Sequence, residues 1–267
     1  MSKFLITGIM VQGTASHVGK SFIVAAFCRL LANEGVLVAP FKSQNMTNNI
    51  FVLKDKKEIG ISQKIQAKAA KTEVSVEMNP ILLKPNHGQV EVVLFGETTG
   101  TLSSQHDRDS FYENGLAAIE TSLTKLTDQY EVLIMEGAGS PVELNLKSRE
   151  LVNMKIAELA DVPVLLVADI DKGGVFASVV GTIALLSKEE RERIKGIIIN
   201  KFYGDPAQFQ EGIQLIEKKT GIPVLGVLPF VDRQLKQPED YDIIANYVKN
   251  HLDWEQIKNL MFSWREK

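Results

Sequence analysis

The sequence predicts an α/β fold, a mostly parallel sheet flanked by helices on both faces, and three observations predict it. Apolar strand-like runs alternate with helical patterns along nearly the whole chain. Several runs are almost continuous Val, Ile and Leu, as in strands buried on both faces. A glycine-bounded polar loop joins the first run to the first helical pattern, at the place where α/β sheets collect ligands.

In order, residues 4–11 form the first strand, and 21–33 repeat apolar positions at helical spacing until Gly35, which reads as a C-terminal cap. Strand 36–41 follows, then a helical stretch at 61–70. Residues 90–95 read as a strand of either direction, because Gly88 and Gly96 also suit a short antiparallel excursion. Helix 111–126, strand 132–135, helix 152–159 and strand 164–168 continue the alternation. Helix 175–186, strand 196–199, helix 207–219 and strand 224–227 complete it, with Gly221 capping the last helix. These elements make one domain over residues 1–230. The remainder, 231–267, changes character at Asp232 and holds two short amphipathic helices, 241–250 and 254–262. Trp254, Ile257, Leu260 and Met261 recur there at helical spacing, a stripe that packs on the parent domain or receives a partner.

Composition excludes several classes. The chain has 267 residues, 45% of them hydrophobic and 24% charged, which is ordinary for a soluble protein with a full core. Its net charge of −3 and scattered basic residues leave no electrostatic footprint for nucleic acid. The single cysteine, Cys28, excludes an intrachain disulfide and sits on the apolar side of the first helix, as core filler. The start Met-Ser-Lys-Phe lacks a signal-peptide pattern and the apolar runs are too short for a membrane span, so the expected compartment is the cytoplasm.

The loop reads Gly13-Thr14-Ala15-Ser16-His17-Val18-Gly19-Lys20-Ser21. Strand, glycine-bounded loop, Gly-Lys-Ser and helix make a phosphate loop, in which backbone N–H groups and the positive helix end cradle a polyphosphate. Lys20 reaches the terminal phosphates and the Ser21 hydroxyl sits on Mg²⁺. Five residues separate Gly13 from Gly19, one more than in the common form. Partition ATPases mark this loop with a lysine five residues before Lys20, where this chain has Ala15. The longer spacing resembles the dethiobiotin synthetase group, whose members phosphorylate a carboxylate or its equivalent for attack by an amine.

The other strand ends carry polar residues too. Lys42-Ser43-Gln44-Asn45-Met46-Thr47-Asn48-Asn49 follows the second strand, and Glu136-Gly137-Ala138-Gly139-Ser140-Pro141 follows 132–135. Glu136 stands where nucleotide hydrolases place the acid of the Mg²⁺ shell, or else caps the next helix. Its small neighbours allow close approach of another group. Asn200 presents an amide to a purine edge or simply turns a strand into a loop; Gly204, four residues on, replaces the acid of guanine-selective sites and favours ATP. Asp169 and Asp171 are a polar shell, a metal site or a solvated loop. Lys84, between Pro80 and Pro85, is a fixed cation near a phosphate or carboxylate, or a surface lysine.

Together these segments resemble the synthetase half of cobyric acid synthases, over about residues 8 to 230. The most specific strings are Gln44-Asn45-Met46 and Met78-Asn79-Pro80-Ile81-Leu82-Leu83-Lys84-Pro85; Asp169-Ile170-Asp171-Lys172-Gly173-Gly174 and Gly226-Val227-Leu228-Pro229 match as well. The resemblance implies a phosphate-loop fold of dethiobiotin synthetase type. It implies ATP- and Mg²⁺-dependent amidation of adenosylcobyrinic acid a,c-diamide side chains to give cobyric acid. Gly13, Thr14, Ser16, His17, Val18, Gly19, Lys20, Ser21, Asn200 and Pro229 then bind nucleotide, and Ser21 and Glu136 hold the metal. Lys20, Lys84, Glu136, Asp169 and Asp171 serve catalysis, while Gln44, Asn45 and Glu150 face substrate. The implied partners are the corrinoid, a separate glutaminase domain or subunit, and a second copy in a homodimer.

Three departures stand out. The family usually has Asp at His17 and Asp at Glu150. It also continues into a glutaminase domain with a nucleophilic Cys, and Cys28 is in the wrong context for that, so ammonia is expected from outside this chain. The alternatives are a ligase acting on another small acid, against which the two specific strings argue, and a regulatory partition-type ATPase, against which Ala15 argues.

Overall fold

The structure is a computed structural model that describes residues 4, 6–86, 88–102, 105–145, 150–231 and 238–264. Leu5, Leu146, Asp232 and the first and last three residues, which the sequence reading covered, lie outside these.

The chain enters through β1 (Gly8–Gly13), α1 (Lys20–Asn33) and β2 (Val38–Phe41). It then leaves the main sheet for a long insertion. The insertion comprises β3 (Gln44–Met46), β4 (Ile50–Val52), β5 (Glu58–Gly60), α2 (Ile61–Ala69), β6 (Ile81–Asn86), β7 (Gln89–Leu94) and β8 (Glu97–Thr101). Helix α3 (Gln105–Thr127) returns to the alternation with β9 (Val132–Glu136), α4 (Met154–Ala160), β10 (Val164–Asp169), α5 (Val175–Leu185) and α6 (Lys188–Arg193). The chain finishes with β11 (Ile194–Phe202), α7 (Gln210–Thr220), β12 (Val224–Pro229), α8 (Pro238–His251) and α9 (Trp254–Phe262).

The main sheet is six-stranded in the order β12-β11-β10-β1-β9-β2, and its pairings are parallel. Its strands split their side chains between two cores. Met10, Leu133, Met135, Leu166 and Ala168 belong to one, and the alternating Ile9, Val11, Ile134, Leu165 and Val167 to the other. Apolar residues on both faces are what made these strands read as continuous runs.

Residues 90–95 do not belong to this sheet. Residues 90–94 fall in β7, antiparallel to both β6 and β8 in a second sheet of order β3-β6-β7-β8, so the antiparallel option applies. Phe95 and Gly96, both with positive φ (48° and 80°), make the two-residue turn into β8. Helix α6 carried a signal that the sequence reading passed over: Ser187 and Glu190 form a reciprocal capping box.

The C-terminal stripe lies on α1. Trp254, Ile257 and Met261 are buried in the same core as the α1 side chains, and Leu260 packs against it. Trp254 sits 5.3 Å from the Phe27 ring and donates its indole N–H to Glu34 at 3.1 Å. Trp254→Ala leaves a void under α1 and is expected to lower unfolding free energy by about 3–5 kcal/mol in urea titrations. Cys28 is fully buried and burial pushes its thiol pKa up, which suits packing and not nucleophilic chemistry.

Candidate functional site

Because the main-sheet strands run parallel, their carboxyl ends share one edge. Val11 pairs with Glu136 and Asp169 with Asn200, so the ends of β1, β9, β10 and β11 are brought alongside one another. A cleft of about 590 Å³ opens there. Ser16, His17, Gly19, Lys20 and Ser21 line one wall, with Glu136, Ala138 and Gly139 from the β9 end. Lys42, Asn45, Met46 and Thr47 line it from the segment after β2.

The loop geometry follows from its sequence. Gly13 has no room for a side chain: a Cβ there would lie 2.5 Å from Val18 Cγ2 and 2.9 Å from Lys20 Nζ. Gly19 adopts φ 104°, a left-handed conformation that favours glycine, and α1 begins without a side-chain cap or an acid in its first turn. Its first N–H groups are thus open to an anion. The Lys20 ammonium donates to the carbonyls of Ala15 (2.9 Å) and Gly139 (3.0 Å), which holds it over the loop. Burial pushes the Lys20 pKa down to about 8; the Glu136 carboxylate resists the fall and the Lys42 ammonium adds to it.

Glu136 is 2% exposed and fully bonded. Its Oε1 accepts from Ser21 Oγ (2.8 Å) and Lys42 Nζ (2.7 Å), and its Oε2 from Gln66 Nε2 (2.6 Å). Burial alone would raise its pKa, but the Lys42 charge and the bonds from Lys42, Gln66 and Ser21 outweigh it and hold the carboxyl below its usual range. It does not cap the next helix; α4 begins only at Met154. One carboxylate and one hydroxyl form a hard oxygen pair that suits Mg²⁺, a cation that takes few protein ligands and keeps its waters. No cluster of three or more His, Cys, Asp or Glu side chains suited to a metal occurs among the described residues.

Other predicted residues lie behind the cleft wall. The Asn200 amide donates one N–H to the Val18 carbonyl at 2.8 Å and packs against Gly19. Asp169 accepts from Lys201 Nζ at 2.6 Å, and that ammonium also donates to the His17 carbonyl at 2.8 Å. Asn200, Asp169 and Lys201 therefore brace the loop from below. His17 sits at φ 62°, a conformation that Asp also tolerates. Asp171 is exposed, with its N–H on Asp169 at 2.9 Å. Thr14 hangs from Val167 through its N–H, and the Pro229 carbonyl accepts from Tyr247.

Three expected residues are drawn away by other partners. Lys84 does not line the cleft; its ammonium lies 2.8 Å from both Glu58 and Glu91. Burial lowers its pKa, but the hydrogen bonds to those carboxylates raise it further, to a net upward shift. Lys84→Met is expected to change nucleotide affinity less than twofold in calorimetry while costing about 1 kcal/mol of stability. Glu150 accepts backbone N–H groups of Val152, Asn153 and Lys155, so its carboxylate caps the start of α4. Gln44 pairs in β3 with Ile81 and is not among the cleft-lining residues, whereas its neighbour Asn45 is.

Lys42 and Lys201 stand at strand ends in the sequence without an assigned role, and Gln63, Gln66 and Asn153 are functional-site neighbours that sequence reasoning does not single out. Asn153 donates to the carbonyls of Ala138 (2.7 Å) and Ser140 (3.1 Å), and a Cβ on Gly137 would meet it at 2.1 Å. The small residues after Glu136 thus serve this packing. The signal for Lys42 was its place directly after a core strand; the buried glutamines carry none beyond their three-residue spacing on a helix.

Comparison with known proteins places the chain in a family. The family described as the CobQ/CobB/MinD/ParA nucleotide binding domain matches residues 9–242. The chain is 51% identical over 233 residues to a protein named probable cobyric acid synthase from Methanothermobacter thermautotrophicus, covering 87% of this chain and 46% of that one. It is 48% identical over 237 residues to a cobyric acid synthase from Desulfitobacterium hafniense, covering 88% and 46%. A third, from Geobacillus kaustophilus, is 50% identical over 233 residues, covering 87% and 46%. The chain thus spans about half the length of these curated relatives. Among solved structures, the signal recognition particle receptor FtsY from Elizabethkingia anophelis in complex with GDP aligns at TM-score 0.51 and 15% identity, covering 93% of this chain and 65% of that one. That likeness bears on the fold alone. Among the described residues, no helix is long and apolar enough to cross a membrane.

Proposed function

The chain belongs to the CobQ/CobB/MinD/ParA nucleotide-binding family, and on that premise we propose that it is the ATP-dependent half of a cobyric acid synthase. Its reaction is the stepwise amidation of peripheral carboxylates of adenosylcobyrinic acid a,c-diamide, with ammonia supplied from outside residues 1–267. The observation that carries this reading is the cluster at the cleft floor, where Lys20, Lys42, Ser21 and Glu136 converge on one another.

A side-chain carboxylate oxygen of the corrinoid attacks the γ-phosphorus of ATP and the bond to the β-bridging oxygen breaks, leaving ADP and an acyl phosphate. Ammonia then adds to the acyl carbon, phosphate departs, and a proton is released from the nitrogen. Charge grows on the phosphoryl oxygens, so stabilisation rests on positioned cations and N–H donors. Lys20 and the loop N–H groups bind the β- and γ-phosphates. Ser21 and Glu136 would hold Mg²⁺, which would supply charge neutralisation at the phosphates. Lys42, a second buried cation that lines the cleft and is paired with Glu136, orients the incoming carboxylate.

The test is incubation of the purified chain with Mg²⁺-ATP and cobyrinic acid a,c-diamide, with either ammonia or glutamine as nitrogen source. The expected result is amide formation with ammonia and none with glutamine, each conversion lowering the product mass by the difference between hydroxyl and amino. Absence of product with ammonia, in a preparation that binds ATP, refutes the corrinoid assignment.

A further inference from the structure

Two glutamines that this chemistry does not use are fully buried beside the Glu136 carboxylate. Gln63 and Gln66 lie one turn apart on α2, and each is 0% exposed. A buried primary amide is costly unless it is bonded, and an apolar side chain would fill the same space without that cost. Here the amides form a chain. Asn45 Nδ2 donates to Gln63 Oε1 at 3.4 Å, Gln63 Nε2 to Gln66 Oε1 at 3.3 Å, and Gln66 Nε2 to Glu136 Oε2 at 2.6 Å.

The chain has one consistent direction. An ionised carboxylate only accepts, so Gln66 must turn its NH₂ toward Glu136 and its carbonyl toward Gln63. Gln63 must then turn its NH₂ toward Gln66 and its carbonyl toward Asn45. Each amide fixes the orientation of the next, from the cleft wall to the carboxylate. The consequence falls on Glu136: with Oε2 taken by Gln66, Oε1 is the oxygen shared by the Ser21 hydroxyl at 2.8 Å and the Lys42 ammonium at 2.7 Å on the cleft side.

We propose that Gln66, oriented by Gln63 and Asn45, is a positioning residue that presents Oε1 of Glu136, together with Ser21 Oγ, to the metal of the nucleotide. The inference rests on the reading of Glu136 and Ser21 as the Mg²⁺ pair. Outer partners of metal ligands typically govern metal affinity by tenfold or more, which sets the size of the effect.

The experiment uses the full chain and a non-hydrolysable ATP analogue, titrated by calorimetry in EDTA and again in saturating Mg²⁺. The ratio of the two dissociation constants is the Mg²⁺-linked gain in affinity. Gln66→Met is expected to cut that ratio about 10- to 100-fold. Gln63→Met, which removes only the orienting donor, is expected to cut it about fivefold, the size of one neutral hydrogen bond, and carries the test alone if Gln66→Met does not fold. Ratios within twofold of the unsubstituted chain overturn the proposal. So does an equal loss in EDTA and in Mg²⁺, which marks a merely structural role. If the unsubstituted chain binds the analogue with no Mg²⁺-linked gain, the metal reading of Ser21 and Glu136 fails and takes this inference with it.

Discussion

Lys20→Met is expected to lower ammonia-dependent amidation by about 10³-fold, at the upper end of what loss of one preorganised donor costs. The Lys20 ammonium is already held over the loop by the Ala15 and Gly139 carbonyls, so no reorganisation is needed when phosphate charge develops. Stability should move the other way. Burial has pulled the Lys20 pKa from 10.5 to about 8, so the folded free chain carries a charge it disfavours. That penalty is complete below about pH 8 and fades as pH rises from 8 toward 10.5. Of the two residues whose carbonyls the substitution releases, Gly139 lines the open cleft and Ala15 is exposed, so water can replace the lysine. The unfolding midpoint of Lys20→Met is therefore expected to be at or above that of the unsubstituted chain at pH 7, with the gap narrowing above pH 8. A variant that loses activity because it is unfolded would instead show a lowered midpoint, and parallel rate and melting measurements separate the two.

Glu136→Ala is expected to damage both activity and stability. It removes the carboxylate of the proposed metal pair, for which a loss of about 10- to 100-fold in metal affinity is the scale. It also strands the Lys42 ammonium, which has its 2.7 Å partner removed in a buried position. Breaking a buried pair from one side costs about 3–5 kcal/mol, because the remaining charge stays desolvated. Glu136→Gln keeps the volume and an acceptor for Ser21, so it should lose the Mg²⁺ response while giving up less stability. Urea midpoints at constant slope, with Mg²⁺ titrations of nucleotide affinity, check the pair of variants. Equal stability of Glu136→Ala and the unsubstituted chain would show that Lys42 is not held by this carboxylate.

Residues whose place in the cleft depends on a local motif were legible in the sequence. Gly13 to Ser21 needed only the strand, the loop and the helix to be read, and Glu136 only its place after four apolar residues. The strands that position them were legible because both faces are buried, which writes an unbroken apolar run. Residues whose role depends on a distant partner were not. Lys84 looked like a cation waiting for a phosphate because Glu58 and Glu91, its partners, come from other strands of the insertion. Strand β5, which carries Glu58, is three residues long and writes no hydrophobic pattern, and the Lys84–Glu91 pairing depends on a β6–β7 register that the run 90–95 does not specify. Glu150 looked like a substrate acid because its backbone partners Val152 and Asn153 are visible only once α4 has a start. Asn200 lies near the end of β11 as expected, but behind the cleft wall, where an amide N–H is bonded to the Val18 carbonyl.

The most direct test of the account follows oxygen. Cobyrinic acid a,c-diamide with ¹⁸O in its free carboxylates is turned over with Mg²⁺-ATP and ammonia, and the inorganic phosphate is analysed by mass spectrometry. If the substrate carboxylate attacks the γ-phosphorus at the Lys20–Glu136 cleft, one ¹⁸O passes into phosphate for each amide formed. Amide formation with unlabelled phosphate would contradict the acyl-phosphate chemistry on which the roles of Lys20, Lys42, Ser21 and Glu136 depend.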